Sequence, residues 1–78
     1  MSSVYVIYAG DKWLSASSLE LIAVCDNTGT ALTLIDKDAE DINEPLTAYH
    51  RISLLENLQT QGRDCNYIVE PVELNTLL

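Results

Sequence analysis

Val4-Tyr5-Val6-Ile7-Tyr8-Ala9, closing on Gly10-Asp11, is the stretch that decides the fold. An unbroken run of β-branched, aromatic and small apolar residues, stopped by a Gly-Asp pair, spells a strand and its turn. Alternation puts Val4, Val6 and Tyr8 on one face and Tyr5, Ile7 and Ala9 on the other. Both faces are apolar, the pattern of a strand central to its sheet.

Working outward, a polar connection from Gly10 to Ser18 holds Lys12, Trp13 and Leu14. A second strand is expected from Leu19 to Cys25, with Leu19, Leu21, Ala23 and Cys25 sharing a face. It is most simply an antiparallel neighbour of the first. Asp26-Asn27-Thr28-Gly29 ends it and starts a helix, with Thr28 or Asp26 as the N-cap. Ala31, Leu32, Leu34, Ile35, Ala39 and Ile42 form the apolar stripe, and Asp36, Lys37, Glu40 and Asp41 the solvent face. Pro45 cannot continue that helix. Thr47 caps a second one, along which Tyr49, Ile52, Leu55 and Leu58 recur every three residues beside Leu54. Gly62 is its expected stop. The last strand runs from Asn66 to Leu74, with its alternation slipping at Pro71, a residue suited to an edge strand or bulge. Residues 75–78 are expected to fray.

The order β-β-α-α-β defines an α+β fold: a three-stranded, mainly antiparallel sheet with two helices packed on one face. The sequence leaves the strand order open; the doubly apolar first strand favours the middle, which would give order 2-1-3. At 78 residues the whole chain, 1–78, reads as one domain.

Charge narrows the partners. Twelve carboxylates face four cations, Lys12, Lys37, Arg51 and Arg63, for a net charge of −8. Nucleic-acid affinity comes from cations that neutralise phosphates, and four scattered ones form no basic stripe. Direct nucleic-acid binding and an anionic membrane surface are both disfavoured. No stretch approaches a membrane span. The N-terminus lacks the basic and apolar regions of a secretory signal. Cys25 and Cys65 therefore read as free thiols of an intracellular protein.

No constellation of residues spells a catalytic centre, a metal site or a cofactor site. From Asp36 onward the sixth and twelfth positions of a calcium loop hold Asp41 and Thr47, not Gly and Glu. The acidic run reads as a solvated helix end, with Asp36 and Glu40 mildly repelling one turn apart. His50 has no carboxylate partner in helical reach and is placed on the exposed side of the second helix. Cys25 reads as a buried thiol, and Cys65 as one whose pKa Arg63 could lower. The two cysteines and His50 lack C-x-x-C spacing, which argues against zinc. Ser15, Ser17 and Ser18 have no nucleophile-elbow context. Thr28-Gly29-Thr30 lacks the spacing of a phosphate loop.

The framing strands Val4–Gly10 and Leu21–Cys25, with the closing Asn66-Tyr67-Ile68-Val69-Glu70-Pro71-Val72-Glu73-Leu74, resemble those of short proteins encoded by bacteriophages and mobile elements of bacteria. The closing run follows a Y-x-(I/V)-E-x-(V/E)-E-L pattern. The resemblance spans most of the chain and is structural. It implies a cytoplasmic setting in a bacterial or phage-infected host cell and an accessory or host-interacting role, and it assigns no active site.

The expectation is a non-enzymatic interaction module that binds a protein partner or itself, a homodimer included. Trp13 either folds back over the open end of the core or anchors an interface, where tryptophan is enriched. The candidate interface comprises Trp13, Lys12 and Leu14 in the connection, with Asp36, Glu40 and Asp41 on the first helix. Two alternatives are an acidic inhibitor of a host nucleic-acid-binding or defence enzyme, using Asp36, Glu40 and Asp41, and a small-ligand binder at Thr28–Thr30.

Overall fold

The computed structural model describes residues 3–73, so Leu74 and the expected fraying of residues 75–78 lie outside it. The elements are β1 (Ser3–Gly10), β2 (Glu20–Cys25), α1 (Thr28–Asp41), α2 (Ala48–Asn57) and β3 (Asn66–Glu73). They build an α+β fold with one antiparallel sheet in the order β2-β1-β3. The doubly apolar β1 is central, as its pattern requires. Both helices pack on one face, where Ile7, Tyr67 and Val69 meet Ala31, Ile35 and Ala39 of α1 and Leu54 of α2, with Leu46 alongside.

Two strand readings need correction. Ile7 lies opposite Ala23 but Tyr8 opposite Leu21, so Ile22 is an extra residue, a β-bulge. Ile22, Ala23 and Cys25 pack against the core, while Leu21 and Val24 turn outward, each 56% exposed. Strict alternation had grouped Leu21 with Ala23 and Cys25, and the bulge breaks it. On the other side no slip occurs at Pro71, because the β1–β3 register is unbroken from Ser3↔Glu73 to Gly10↔Asn66. The N–H groups of Tyr67 and Val69 point away from β1, to Thr60 Oγ1 at 2.9 Å and the Leu58 carbonyl at 2.7 Å. By period two, residue 71 also faces away from β1, where a missing N–H breaks no ladder bond.

The helix ends differ in detail too. The N-cap of α1 is Asn27, not Thr28 or Asp26. Its backbone is extended, and its side chain accepts the Thr30 N–H at 2.7 Å. Asp26 instead accepts the Asn27 amide at 2.8 Å. Ile42 caps the C-terminus half-exposed rather than joining the stripe. Thr47 caps α2 as expected, accepting the His50 N–H. Leu58, not Gly62, ends α2: it adopts φ 59° while its N–H bonds Leu54 and its carbonyl accepts the Val69 N–H. That clamp to β3 holds a leucine in a conformation that usually needs glycine.

The expected apolar stripe of α2 is not its buried face. Ser53 and Leu54 are buried, whereas Tyr49, Ile52 and Leu55 are 68%, 54% and 56% exposed. The geometry explains why: each three-residue step on a helix rotates about 60° short of a full turn, so a period-three row spirals off any single face. The Ser53 hydroxyl, donating to the Gln59 carbonyl at 2.6 Å, fixes the rotation that buries Leu54.

Candidate interaction surface

Among the described residues no helix covers the second face of the sheet, and only Leu14 and Leu19 of the β1–β2 connection lie at its Gly10 end. By register it consists of Val4, Val6 and Tyr8 from β1, Leu21 and Val24 from β2, and Ile68, Glu70 and Val72 from β3. None of its apolar members belongs to the core or packs against it, whereas their alternates Tyr5, Ile7, Ala9, Tyr67 and Val69 do. The three strands contain Glu20, Glu70 and Glu73 and no cation. The surface is an apolar field with a carboxylate, Glu70, beside Val6.

All four cations lie elsewhere. Lys37 is exposed on α1, in the opposite layer. Arg51 on α2 pairs with Asp36 at 3.2 Å. Arg63 is buried: its Nε donates to the Cys65 carbonyl at 2.9 Å, its Nη2 to the Glu44 carbonyl, and its guanidinium lies 5.7 Å from the Tyr67 ring centre. Lys12 sits in the β1–β2 connection.

That connection is an ordered loop. Asp11 accepts the N–H groups of Trp13 and Ser15 at 3.0 and 3.1 Å and the Ser15 hydroxyl at 2.6 Å. These bonds, the Ser15 hydroxyl first, hold the Asp11 carboxyl below the usual carboxylate range. The Ser18 hydroxyl donates to the Ser15 carbonyl at 2.7 Å and accepts the Asp11 N–H at 3.0 Å. Leu14 takes φ 51°, completing the turn. Trp13 is thereby presented to solvent, 79% exposed, with the Lys12 ammonium 6.0 Å from its ring centre. It does not fold back over the core.

A buried polar cluster anchors this loop to β3. Asn66, 1% exposed, donates from Nδ2 to the Lys12 carbonyl at 3.1 Å and the Arg63 carbonyl at 2.8 Å. Its Oδ1 accepts the Thr60 hydroxyl at 3.0 Å. Every buried side-chain polar atom among the described residues has a partner.

The six expected interface residues do not form one surface through direct contacts. Lys12, Trp13 and Leu14 share the loop, while Asp36, Glu40 and Asp41 lie on α1; among the described residues no hydrogen bond or ion pair joins the two sets. The acidic run is also partly engaged, since Asp36 holds Arg51 and Asp38 accepts the Tyr67 phenol at 2.6 Å. Burial, then that bond, pushes the Tyr67 ionisation strongly upward.

Two reactive-looking groups also read differently in place. His50 is half-buried rather than on the open side of α2, and its Nδ1 accepts the Thr47 N–H at 3.2 Å in a capping box. Burial, then the charge of Arg63, lowers its pKa. Burial raises the Cys65 pKa and outweighs Arg63, contrary to the expected lowering. Cys25 and Cys65 are free and partly buried. No three or more His, Cys, Asp or Glu among the described residues are placed to hold a metal. No described helix is long and apolar enough to cross a membrane. A groove of about 140 Å³ between β2 and α1, lined by Ile22, Ala23, Leu34, Lys37, Asp38 and Asp41, is small against ordinary ligand sites.

The sheet face was missed in sequence reasoning, although the apolar Val4-Val6-Tyr8 row signalled it. No protein-family model, curated protein or solved structure matches the chain.

Proposed function

We propose that this chain is a non-enzymatic protein-interaction module that docks a partner protein on the uncovered face of its sheet, with Trp13 presented at the sheet's end. The observation that carries the reading is the row Val4, Val6, Tyr8, Leu21, Val24, Ile68 and Val72, contiguous, apolar and outside the core. Within it Leu21 and Val24 are exposed and the other five half-buried, and a contiguous apolar patch that reaches the surface marks an interaction site. The cytoplasmic bacterial or phage setting implied by the closing-strand pattern belongs to this proposal as its context.

The face is better supported than the sheet edge as the docking element. β3 is shielded over Tyr67–Val69 by hydrogen bonds to Leu58 and Thr60, and farther along by Pro71. The outer edge of β2 carries the bulge at Ile22. Bulges, prolines and covering segments all discourage strand-to-strand pairing.

The alternatives have less behind them. An acidic inhibitor needs a free carboxylate array, and Asp36 and Asp38 have partners within the fold. A ligand at Thr28–Thr30 would compete with the Asn27 side chain, which occupies the Thr30 N–H.

Val24→Lys and Trp13→Ala test the reading, with circular dichroism to verify the fold. Both residues are largely exposed, so both variants should fold with unchanged stability. A partner purified with the wild-type chain should be lost from Val24→Lys and weakened by Trp13→Ala. Undiminished binding by Val24→Lys would remove the sheet face from the proposal.

A further inference from the structure

We infer that the occupant of the sheet face is a cationic amphipathic helix of a partner protein. This rests on the docking role proposed above and adds the chemistry of the ligand.

The first argument is size. Three strands about 4.8 Å apart, eight, six and eight residues long, at about 3.3 Å per residue, present a footprint roughly 14 Å wide and about 26 Å long, shorter along β2. An α-helix with its side chains is about 10–12 Å across and rises about 1.5 Å per residue, so one helix of about 17 residues fills that footprint. A specific complex of two globular surfaces typically buries about 800 Å² per partner. The flat face, at roughly 350 Å² from the same strand spacings, supplies under half of that. A second copy of this chain is thus a poor match in area.

The second argument is charge. The chain carries −8, and the strands hold no cation; of their three carboxylates, register puts Glu70 on this face and Glu20 and Glu73, opposite Ala9 and Ser3, on the other. Glu70 stands within the face, next to Val6 and between Ile68 and Val72. The four cations are buried, paired, on α1, or in the loop. Two such faces would bring Glu70 against a like-charged surface, and two molecules of −8 repel at long range. A helix with leucine-like residues on one side and Lys or Arg along its flanks satisfies both demands. Its apolar stripe covers the valines, and its flanking cations reach Glu70. Complementarity of this kind sets partner choice and association rate more than it sets affinity.

The test uses a fluorophore-labelled synthetic peptide of about 17 residues, with Leu at i, i+3, i+4 and i+7 spacing and Lys elsewhere. A second peptide carries Glu in place of every Lys. Fluorescence anisotropy against the purified chain reads affinity, and sedimentation velocity reads the oligomeric state of the chain alone. The expected result is a monomer that binds the Lys peptide one to one, with affinity falling between about 0.05 and 0.5 M salt. Val24→Lys should weaken binding by about tenfold or more, since it places a charge in the apolar contact. Thr33→Lys makes the same charge change on α1, in the other layer, and should leave affinity within about twofold. Val24→Ser removes apolar surface without adding charge and should also weaken binding.

Three results would overturn the inference. Equal binding of the Glu peptide at the same face would remove the cationic character and keep the docking role. A dimer dissociated by Val24→Lys would make a second copy the occupant, again keeping the docking role. Equal loss in Thr33→Lys and Val24→Lys, or no loss in either, would show that the peptide does not seat on the sheet, and the docking role would fall with it.

Discussion

Replacing Asn66 with alanine should be among the most damaging single changes outside the apolar core. The side chain is buried and makes three hydrogen bonds, to the Lys12 carbonyl, the Arg63 carbonyl and the Thr60 hydroxyl. Each such bond contributes about 1 kcal/mol net, and stranding its buried partners adds a desolvation penalty. The expected loss is about 3 kcal/mol. A domain of this length has a total stability of roughly 4–12 kcal/mol, so the change removes a quarter or more of it. Urea unfolding followed by far-UV circular dichroism measures it directly, and thermal unfolding should show a midpoint lowered by about 10–25 °C. The loss also has a local signature. Freed of its anchor, the loop carrying Trp13 should exchange its Lys12–Ser15 amide protons faster than in the wild type, beyond what global destabilisation accounts for. A loss below about 1 kcal/mol would mean that water replaces the amide without penalty, and the buried-hub reading of Asn66 would be wrong.

The remaining predictions address the corrected helix face and the two shifted groups. Leu54→Ala should lose about 2–4 kcal/mol and Leu55→Ala under about 1, because only Leu54 is buried; equal losses in urea melts would put the rotation of α2 in error. The lowered pKa of His50, caused first by burial and then by Arg63, means that protonation favours the unfolded chain. Its contribution is complete above the ordinary histidine pKa and is lost as pH falls through the lower folded value. Between about pH 7 and pH 5 the wild type should therefore lose more stability than His50→Gln, and parallel curves would contradict the shift. Asp11 should titrate by NMR below the ordinary carboxylate value, with the Trp13 amide following the same midpoint. The order it gives the loop is present above that ordinary value and is lost as pH falls through the depressed one. Ser15→Ala should move the midpoint upward, since the Ser15 hydroxyl is its largest cause.

The sheet was legible because its signals are local. An apolar run ending at Gly10-Asp11 needs no tertiary information to read as a strand, and apolarity on both its faces places it centrally. The cap at Thr47 was equally readable. What could not be read depends on partners distant in sequence. The bulge at Ile22 is a register relation between two strands. Leu58 ends α2 early because Val69, across a loop, takes its carbonyl. The buried face of α2 turns on which of two adjacent leucines meets the core. Asn27 prevailed over Asp26 and Thr28 as the cap by one position, a distinction that propensity does not make among good capping residues. The solvent exposure of Trp13 hangs on five side-chain hydrogen bonds within residues 11–18 and on Asn66, a residue of the last strand.

The same locality explains why the candidate surface stayed hidden although its residues were read correctly. A strand apolar on both faces calls for a layer on each side, and this fold supplies one. Ile7 and its alternates are covered by α1 and α2, while Val4, Val6 and Tyr8 lie outside the core and among the described residues no helix covers them. Were that face adapted to water, polar residues would alternate with apolar ones, as they do on one-sided antiparallel sheets. Glu70 alone follows that rule within the three strands' outward rows, and it sits where a partner's cation would meet it. The apolar pattern of β1 thus reads as half satisfied within the chain. A helix bringing both an apolar stripe and positive charge would complete it, making the sheet central between two layers.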